Sequence, residues 1–392
     1  MTKQLWVTAS LLSGVCMLAP LSAGADTTTE DLRKTVDAQQ QAIDNLQRQL
    51  DATTTLIENS GLQGAGAAPA GAMAANETTL GGYGELHYNN LDSKKKLDFH
   101  RFVLFFGHRF SDSIRFNSEL EVEHSIASAS DTGEVALEQA SLDFDLNDRH
   151  TARAGLFLVP VGIINETHEP PTFYGVERNP VETNIIPTTW SEAGAGLHGS
   201  PAPGWGYDVA VTSGLNVPTT GGDAYTIRSG RQGGSAAVAE KLAYTARLRW
   251  TGMAGVELSG SANYQDDVTQ GAQGISATLL EAHAVVNQGP FGVRALYAVW
   301  NLDGSAPKAL GRDEQNGWYL EPSYKITPEL GLFARYNEWD NTAGDAADSK
   351  ATQTNVGINY WPHENVVLKA DIQRQGGGAT DDGFNLGIGY QF

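Results

Sequence analysis

The chain offers nine histidines, one cysteine and 46 carboxylates within 392 residues, and their spacing argues against an active site. No HExxH zinc pattern and no Gly-x-Ser-x-Gly nucleophile elbow occurs. His124 and Ser125 are adjacent, so on a strand they point to opposite faces and cannot act as a base–nucleophile pair. His100 and His108 share one parity, but eight residues of strand separate them by about 26 Å. Cys16 falls in an N-terminal leader, so the mature chain lacks disulfides, thiolate metal sites and a cysteine nucleophile. An enzyme is not expected, and neither is a cofactor or a metal.

The charged residues carry a different chemistry, because they recur at every second position. On 113–127, Arg115, Asn117, Glu119, Glu121 and Glu123 share one face, while Ile114, Phe116, Leu120 and Val122 share the other. On 238–251, Arg247 and Arg249 oppose Tyr244, Leu248 and Trp250. The same parity puts Arg153, Arg294, Lys325, Arg335 and Lys369 on polar faces, with Glu257, Glu281, Glu321 and Asp371. Fixed charges of both signs along a wall attract, orient and filter small ions. The formal charge of −20 argues against a nucleic-acid partner, which needs a basic footprint.

Such stripes require strands, and from Leu80 the pattern has period two up to the last residue. In 383–392, Phe384, Leu386, Ile388, Tyr390 and Phe392 share one face and Asn385, Gly387, Gly389 and Gln391 the other. Extending this gives 16 strands: 80–90, 97–110, 113–127, 134–146, 150–158, 191–199, 205–214, 238–251, 254–265, 275–287, 290–301, 315–326, 329–339, 351–361, 365–375 and 383–392. Short and long connections alternate without exception. Ser111-Asp112, Gly252-Met253, Gln288-Gly289 and Thr327-Pro328 are two-residue turns, and 159–190 is the longest loop. An up-and-down outer-membrane barrel has this asymmetry, and an even strand number puts both termini on the periplasmic side. All seven tryptophans beyond the leader lie at or next to strand ends, as aromatic girdles at two interfaces predict. A charge facing hydrocarbon near the midplane costs about 2–4 kcal/mol, so the charged faces are assigned to the lumen. The expected fold is all-β: a 16-stranded antiparallel transmembrane β-barrel over 79–392, preceded by a short N-terminal coiled-coil helix.

Residues 1–25 have the pattern of a secretory signal peptide, with Lys3, an apolar stretch from Leu5 to Leu21, and Ala23-Gly24-Ala25 for cleavage. Val15 argues against a lipoprotein signal at Cys16, since a small residue is needed there. In 26–60, Leu32, Val36, Ile43, Leu46, Leu50 and Ile57 keep heptad spacing, with Gln39 and Thr53 filling the seam. A periplasmic coiled-coil segment is expected, with a single amphipathic helix packed on the body as the alternative. A Gly/Ala/Pro-rich linker, 61–78, separates it from the barrel. The seam implies self-association and leaves the copy number open.

Two segments carry a resemblance. LGGYGELHYNN followed by LDFHRFVLFFGHRFSDSIRFNSELEVEHS (80–125), and EQASLDFDLNDRHTARAGLFLVPVGIINETHEPPTFYGVERN (138–179), resemble the phosphate-selective porin O and P family. The resemblance implies a homotrimer of 16-stranded barrels, each with its own pore in the outer membrane of a Gram-negative cell. It also implies that 159–190 folds into the pore as a constriction loop, bringing Glu166, His168, Glu169, Tyr174, Glu177, Arg178 and Glu182 opposite wall arginines. The alternative is that these glutamates sit on a solvated external loop.

The reading is a water-filled porin, in contact with outer-membrane lipid, for passive diffusion of small hydrophilic or charged solutes, with anions such as phosphate among the candidates. Its wall charges would be Arg115, Arg153, Arg247, Arg249, Arg294, Lys325, Arg335, Lys369, Glu119 and Glu121. The alternative is a structural barrel tethered to the periplasm through its coiled coil, with little or no conductance. Lys94-Lys95-Lys96, in the expected first external loop, is either an anion trap or a solvated loop tip.

Overall fold

The computed structural model describes residues 77–377 and 380–392. The expected signal segment, the coiled coil and all but the end of the linker lie outside the described residues. Sixteen strands follow one another: β1 (Thr78–Leu91), β2 (Lys95–Ser111), β3 (Ile114–Glu123), β4 (Val135–Asn147), β5 (His150–Leu158), β6 (Ser191–Ala202), β7 (Trp205–Thr212) and β8 (Ala243–Met253). The second half is β9 (Val256–Gln265), β10 (Ala277–Gln288), β11 (Phe291–Leu302), β12 (Glu314–Lys325), β13 (Leu330–Asp340), β14 (Ala351–His363), β15 (Val366–Gly376) and β16 (Gly383–Gln391). Each strand pairs antiparallel with the next, and β1 pairs with β16, Tyr83 opposite Gln391, so the barrel closes.

The alternation of turns and loops holds around the barrel, with local differences. Ala202-Pro203-Gly204-Trp205 is a tight turn in which Pro supplies the fixed φ and Gly204 the left-handed one, φ +74°. The first long connection is only 92–94, because Lys95 and Lys96 belong to β2 and Lys96 Nζ approaches Asp98 at 2.9 Å. Lys94 stays in that connection while Lys95 and Lys96 open β2, and all three are exposed. β3 ends at Glu123, since His124 and Ser125 turn the chain with φ of +53° and +63°. The two are loop residues, not opposite faces of a strand. β8 begins at Ala243, because Val238 N–H donates to Gln232 Oε1 at 2.8 Å and the preceding segment closes a loop.

Two bulges reset the inward–outward parity. In the β1–β2 ladder Glu85 faces Arg101 while Leu86 faces Phe99, leaving His100 as the extra residue. In the β3–β4 ladder Glu119 faces Gln139 while Leu120 faces Leu137, leaving Glu138 extra. A bulge re-aims the side chains beside it. His100 and Arg101 both turn inward, and so do Glu138 and Gln139, so His100 and His108 no longer share a face.

The outer surface is a band of exposed apolar residues, including Leu248, Leu280, Val356 and Ile372. A band of this kind, which a soluble protein would bury, is the lipid face of a barrel. The tryptophans depart from the girdle expectation. Trp205 and Trp318 face outward, but Trp190 and Trp300 are fully buried inside, and Trp339 packs against the same interior cluster. Trp361 is also inward, its indole N–H donating to Pro171 O at 3.2 Å. Their indoles serve loops folded into the barrel rather than the membrane interface.

That interior cluster is the apolar core. It joins Val159, Val181, Ile185 and Trp190 of the 159–190 loop to Leu215, Tyr225 and Ile227 of a second loop, 213–242. Both pack on Leu279, Leu296, Trp300 and Tyr319 of β10–β12. Burying each large apolar side chain contributes about 1.5–3 kcal/mol. Loops of this length can therefore hold one conformation inside the barrel, filling the β10–β12 side and leaving polar space elsewhere.

Candidate pore and its constriction

The 159–190 loop crosses the lumen and is pinned at several points. Its fold begins with Glu182, whose carboxylate accepts the backbone N–H groups of Ile163 at 2.6 Å and Ile164 at 2.7 Å. The same carboxylate accepts from Asn179 at 2.8 Å and the Tyr319 hydroxyl at 2.9 Å. Glu182 is fully buried, so the structure places it in the loop's framework and not on the lumen. The second loop braces the first: the Arg228 guanidinium donates to Thr183 O and Thr188 O, and Arg231 donates to Thr189 O at 2.7 Å. Burial, then the like charges of Arg231 and Arg178, lower Arg228 to about 10.

Wall residues hold the rest. Arg335 on β13 lies 3.2 Å from Glu321 and donates to the carbonyls of Tyr174 and Glu177. Arg247 on β8 bridges Asp208 on β7, at 2.8 Å, and Glu166 on the loop. His168 reaches Glu119 at 3.3 Å and Glu138 at 3.5 Å. Burial and Arg178 push His168 down, but the two carboxylates reverse this and raise it to about 10. Glu177 accepts from Asn89 at 2.8 Å and meets His87 at 3.3 Å. Burial pushes the Glu177 carboxyl up, yet His87 overrides this and holds it well below the ordinary range. Gly387 and Gly389 line the wall where the loop passes closest. A Cβ at 389 would collide with Pro170, and one at 387 would meet Val176 at 3.1 Å. These glycines make room for the loop rather than keeping open lumen.

The loop divides the interior into two vestibules, of about 910 Å³ at the tight-turn end and about 1110 Å³ at the long-loop end. Gly162, Ile163, Glu166, Thr167 and Thr172 of the loop line the first, and Phe173, Val176, Glu177, Arg178, Thr183 and Thr189 line the second. Arg115, Arg153, Arg247, Arg249 and Arg294 all border the first vestibule. Three are matched by wall carboxylates: Arg115 pairs with Asp145, Arg153 with Asp143 at 2.7 Å, and Arg247 as described. Arg249 enters no ion pair among the described residues, and Arg294 donates to Thr172 O at 2.8 Å. Glu121, with Arg101 at 3.2 Å, lines the second vestibule. Glu119 points inward but is buried under His168. Lys325 and Lys369 point inward too, capped by aromatic rings: Lys325 Nζ is 3.2 Å from the centre of Trp361 and Lys369 Nζ 3.5 Å from that of Phe173. In the loop, Glu166, Glu177 and Arg178 border the vestibules. Tyr174 stacks beside Phe333, and Glu169 is half-buried.

Several site residues were not singled out from sequence. Asp143, Asp145 and Asp208 follow from simple alternation on β4 and β7, as do Glu85 and His87 on β1. Glu138 and His100 depend on bulges and leave no mark in the residue pattern.

A closed antiparallel barrel with an apolar outer band and a charged interior entered from both ends is an outer-membrane channel. The chain matches the phosphate-selective porin O and P family over residues 80–374 and belongs to that family. It is 33% identical over 331 residues to an uncharacterized protein of Aquifex aeolicus (strain VF5), covering 76% of this chain and 75% of that one. Among solved structures it resembles the anion-selective porin of Comamonas acidovorans, with a TM-score of 0.58, 14% identity, and coverage of 81% of this chain and 100% of that one. It also resembles the trimer form of OmpT, an outer membrane protein of Vibrio cholerae, with a TM-score of 0.56, 11% identity, and coverage of 81% and 100%. At those identities the likeness concerns the fold.

Proposed function

We propose that this outer-membrane channel passes small hydrophilic solutes by passive diffusion and favours anions, with the 159–190 loop as its constriction. The observation carrying the reading is the division of a charged lumen by that loop into two vestibules open to opposite ends. Selectivity follows from the unmatched charges, not from the chain total. In the first vestibule Asp143 is matched by Arg153, Asp208 and Glu166 share the single charge of Arg247, and Glu257 meets His283 at 3.2 Å. Arg109, Arg249 and Arg294 line it without an ion-pair partner among the described residues, against Glu77 and the one carboxylate charge that Arg247 leaves over, so positive charge remains in excess. Uncompensated positive charge in a narrow, low-dielectric passage concentrates anions. Export by the 1–25 signal and assembly as a homotrimer belong to the same reading. The OmpT structure described as a trimer form supports the latter.

The test is the reversal potential of the refolded protein in a planar bilayer across a KCl gradient. A potential of the sign for chloride preference supports the reading. Cation preference overturns the selectivity while leaving the channel intact.

A further inference from the structure

We propose that Glu119, Glu138 and His168 form a binding site for one divalent transition-metal ion of the zinc class, which ties the constriction loop to the β3–β4 wall. Their ligand atoms all lie within 4.8 Å of one another. His168 Nε2 is 3.3 Å from Glu119 Oε1 and 3.5 Å from Glu138 Oε2, spacings that a cation bonded at about 2.0–2.2 Å to each would occupy. All three residues are less than a tenth exposed.

The surroundings suit metal ligation. His168 Nδ1 lies 3.1 Å from Asn165 O, which only accepts, so Nδ1 keeps its proton and Nε2, the nitrogen facing the two carboxylates, is the one that gives up its proton to a metal ion. Metal-bound histidines are oriented by this kind of outer contact. Gln139 donates to Glu119 Oε2 at 2.8 Å, leaving Oε1 for the ion. Glu138 Oε2 is buried without a hydrogen bond and is aimed at the same point. One imidazole with two carboxylates suits Zn²⁺, Mn²⁺ or Fe²⁺ better than Ca²⁺ or Mg²⁺, which require more oxygen ligands. Glu138 borders the second vestibule, which provides the entry path.

A neighbouring group, Asp98, His100 and His124, makes a useful contrast. His100 Nε2 lies 3.0 Å from Arg101 Nη2, an obligate donor, so its proton is on Nδ1, the atom that would have to bind.

The experiment is calorimetric titration of the refolded full chain with ZnCl₂ after chelator treatment. One ion per protomer is expected. Glu138→Gln and His168→Gln should each weaken binding at least about 100-fold, the upper end of what losing even an outer-shell partner costs, while His124→Ala leaves it unchanged. Heat-modifiable electrophoretic mobility shows which variants are folded. Absence of a saturable site, unchanged binding by a folded Glu138→Gln protein, or loss of binding in His124→Ala overturns the proposal. On the unsubstituted chain, bound Co²⁺ should give a visible ligand-field band. Its absence overturns the site without reliance on any variant.

Discussion

The guanidinium of Arg247 on the barrel wall meets the carboxylate of Glu166 on a loop 81 positions earlier in the chain. One side chain thus fixes where the constriction loop stands and neutralises the acid it brings into the lumen. Arg247 is buried, and Asp208 completes the cluster at 2.8 Å. Replacing Arg247 by Gln keeps a polar side chain but removes the charge and leaves two carboxylates unmatched beside the passage. The reversal potential should move toward cation preference, measured against unsubstituted protein in the same KCl gradient.

Arg335 and Glu321 are both nearly inaccessible, and Arg335 also holds the carbonyls of Tyr174 and Glu177. Arg335→Ala strips a buried carboxylate of its partner and costs about 3–5 kcal/mol. Denaturant unfolding should show that loss. Arg335→Lys restores the charge but not the forked geometry, so it should recover only part of the stability.

Gly389 faces Pro170 with no space for a side chain. Gly389→Val should overpack the contact, costing about 1–3 kcal/mol, and push the loop off β16. Open-channel current noise should increase while the barrel stays heat-modifiable. Gly260, whose Cβ would meet only Glu281 O at 3.7 Å, is the control position.

Glu177 ties the loop to β1 through Asn89 and His87. Its folded pKa lies below the unfolded value, so its contribution is present above the unfolded value of about 4.3 and is lost as pH falls through the folded one. Protease cleavage within 159–190 should stay slow at pH 5 and accelerate only in strong acid. Glu177→Gln should remove that pH step.

The barrel was legible because lipid and lumen impose opposite demands on alternate residues. Leu248 faces out and Arg247 in, so each strand writes its own orientation, and turn signals such as Gln288-Gly289 fall at its ends. The interior was less legible. Period-two reading assumes an unbroken ladder, and the bulges at His100 and Glu138 turn two neighbours inward where one was expected. A long connection after 214 was legible, but its packing inside the barrel was not, because nothing local separates Leu215, Tyr225 and Ile227 from an ordinary external loop. Only their partners, Trp300 and Tyr319 on distant strands, make them a core. The tryptophans misled for a related reason: a strand-end indole suits a membrane interface, and it equally suits a loop carbonyl, as Trp300 does with Ile185 O at 3.0 Å.

An open channel narrowed by the 159–190 loop should be visible in the single-channel current of the refolded full chain in a planar bilayer. Discrete conductance steps are expected of the unsubstituted protein, and larger steps once the Arg247 and Arg335 anchors are both removed. No current from protein shown to be folded and heat-modifiable would contradict this and leave a barrel whose part is structural.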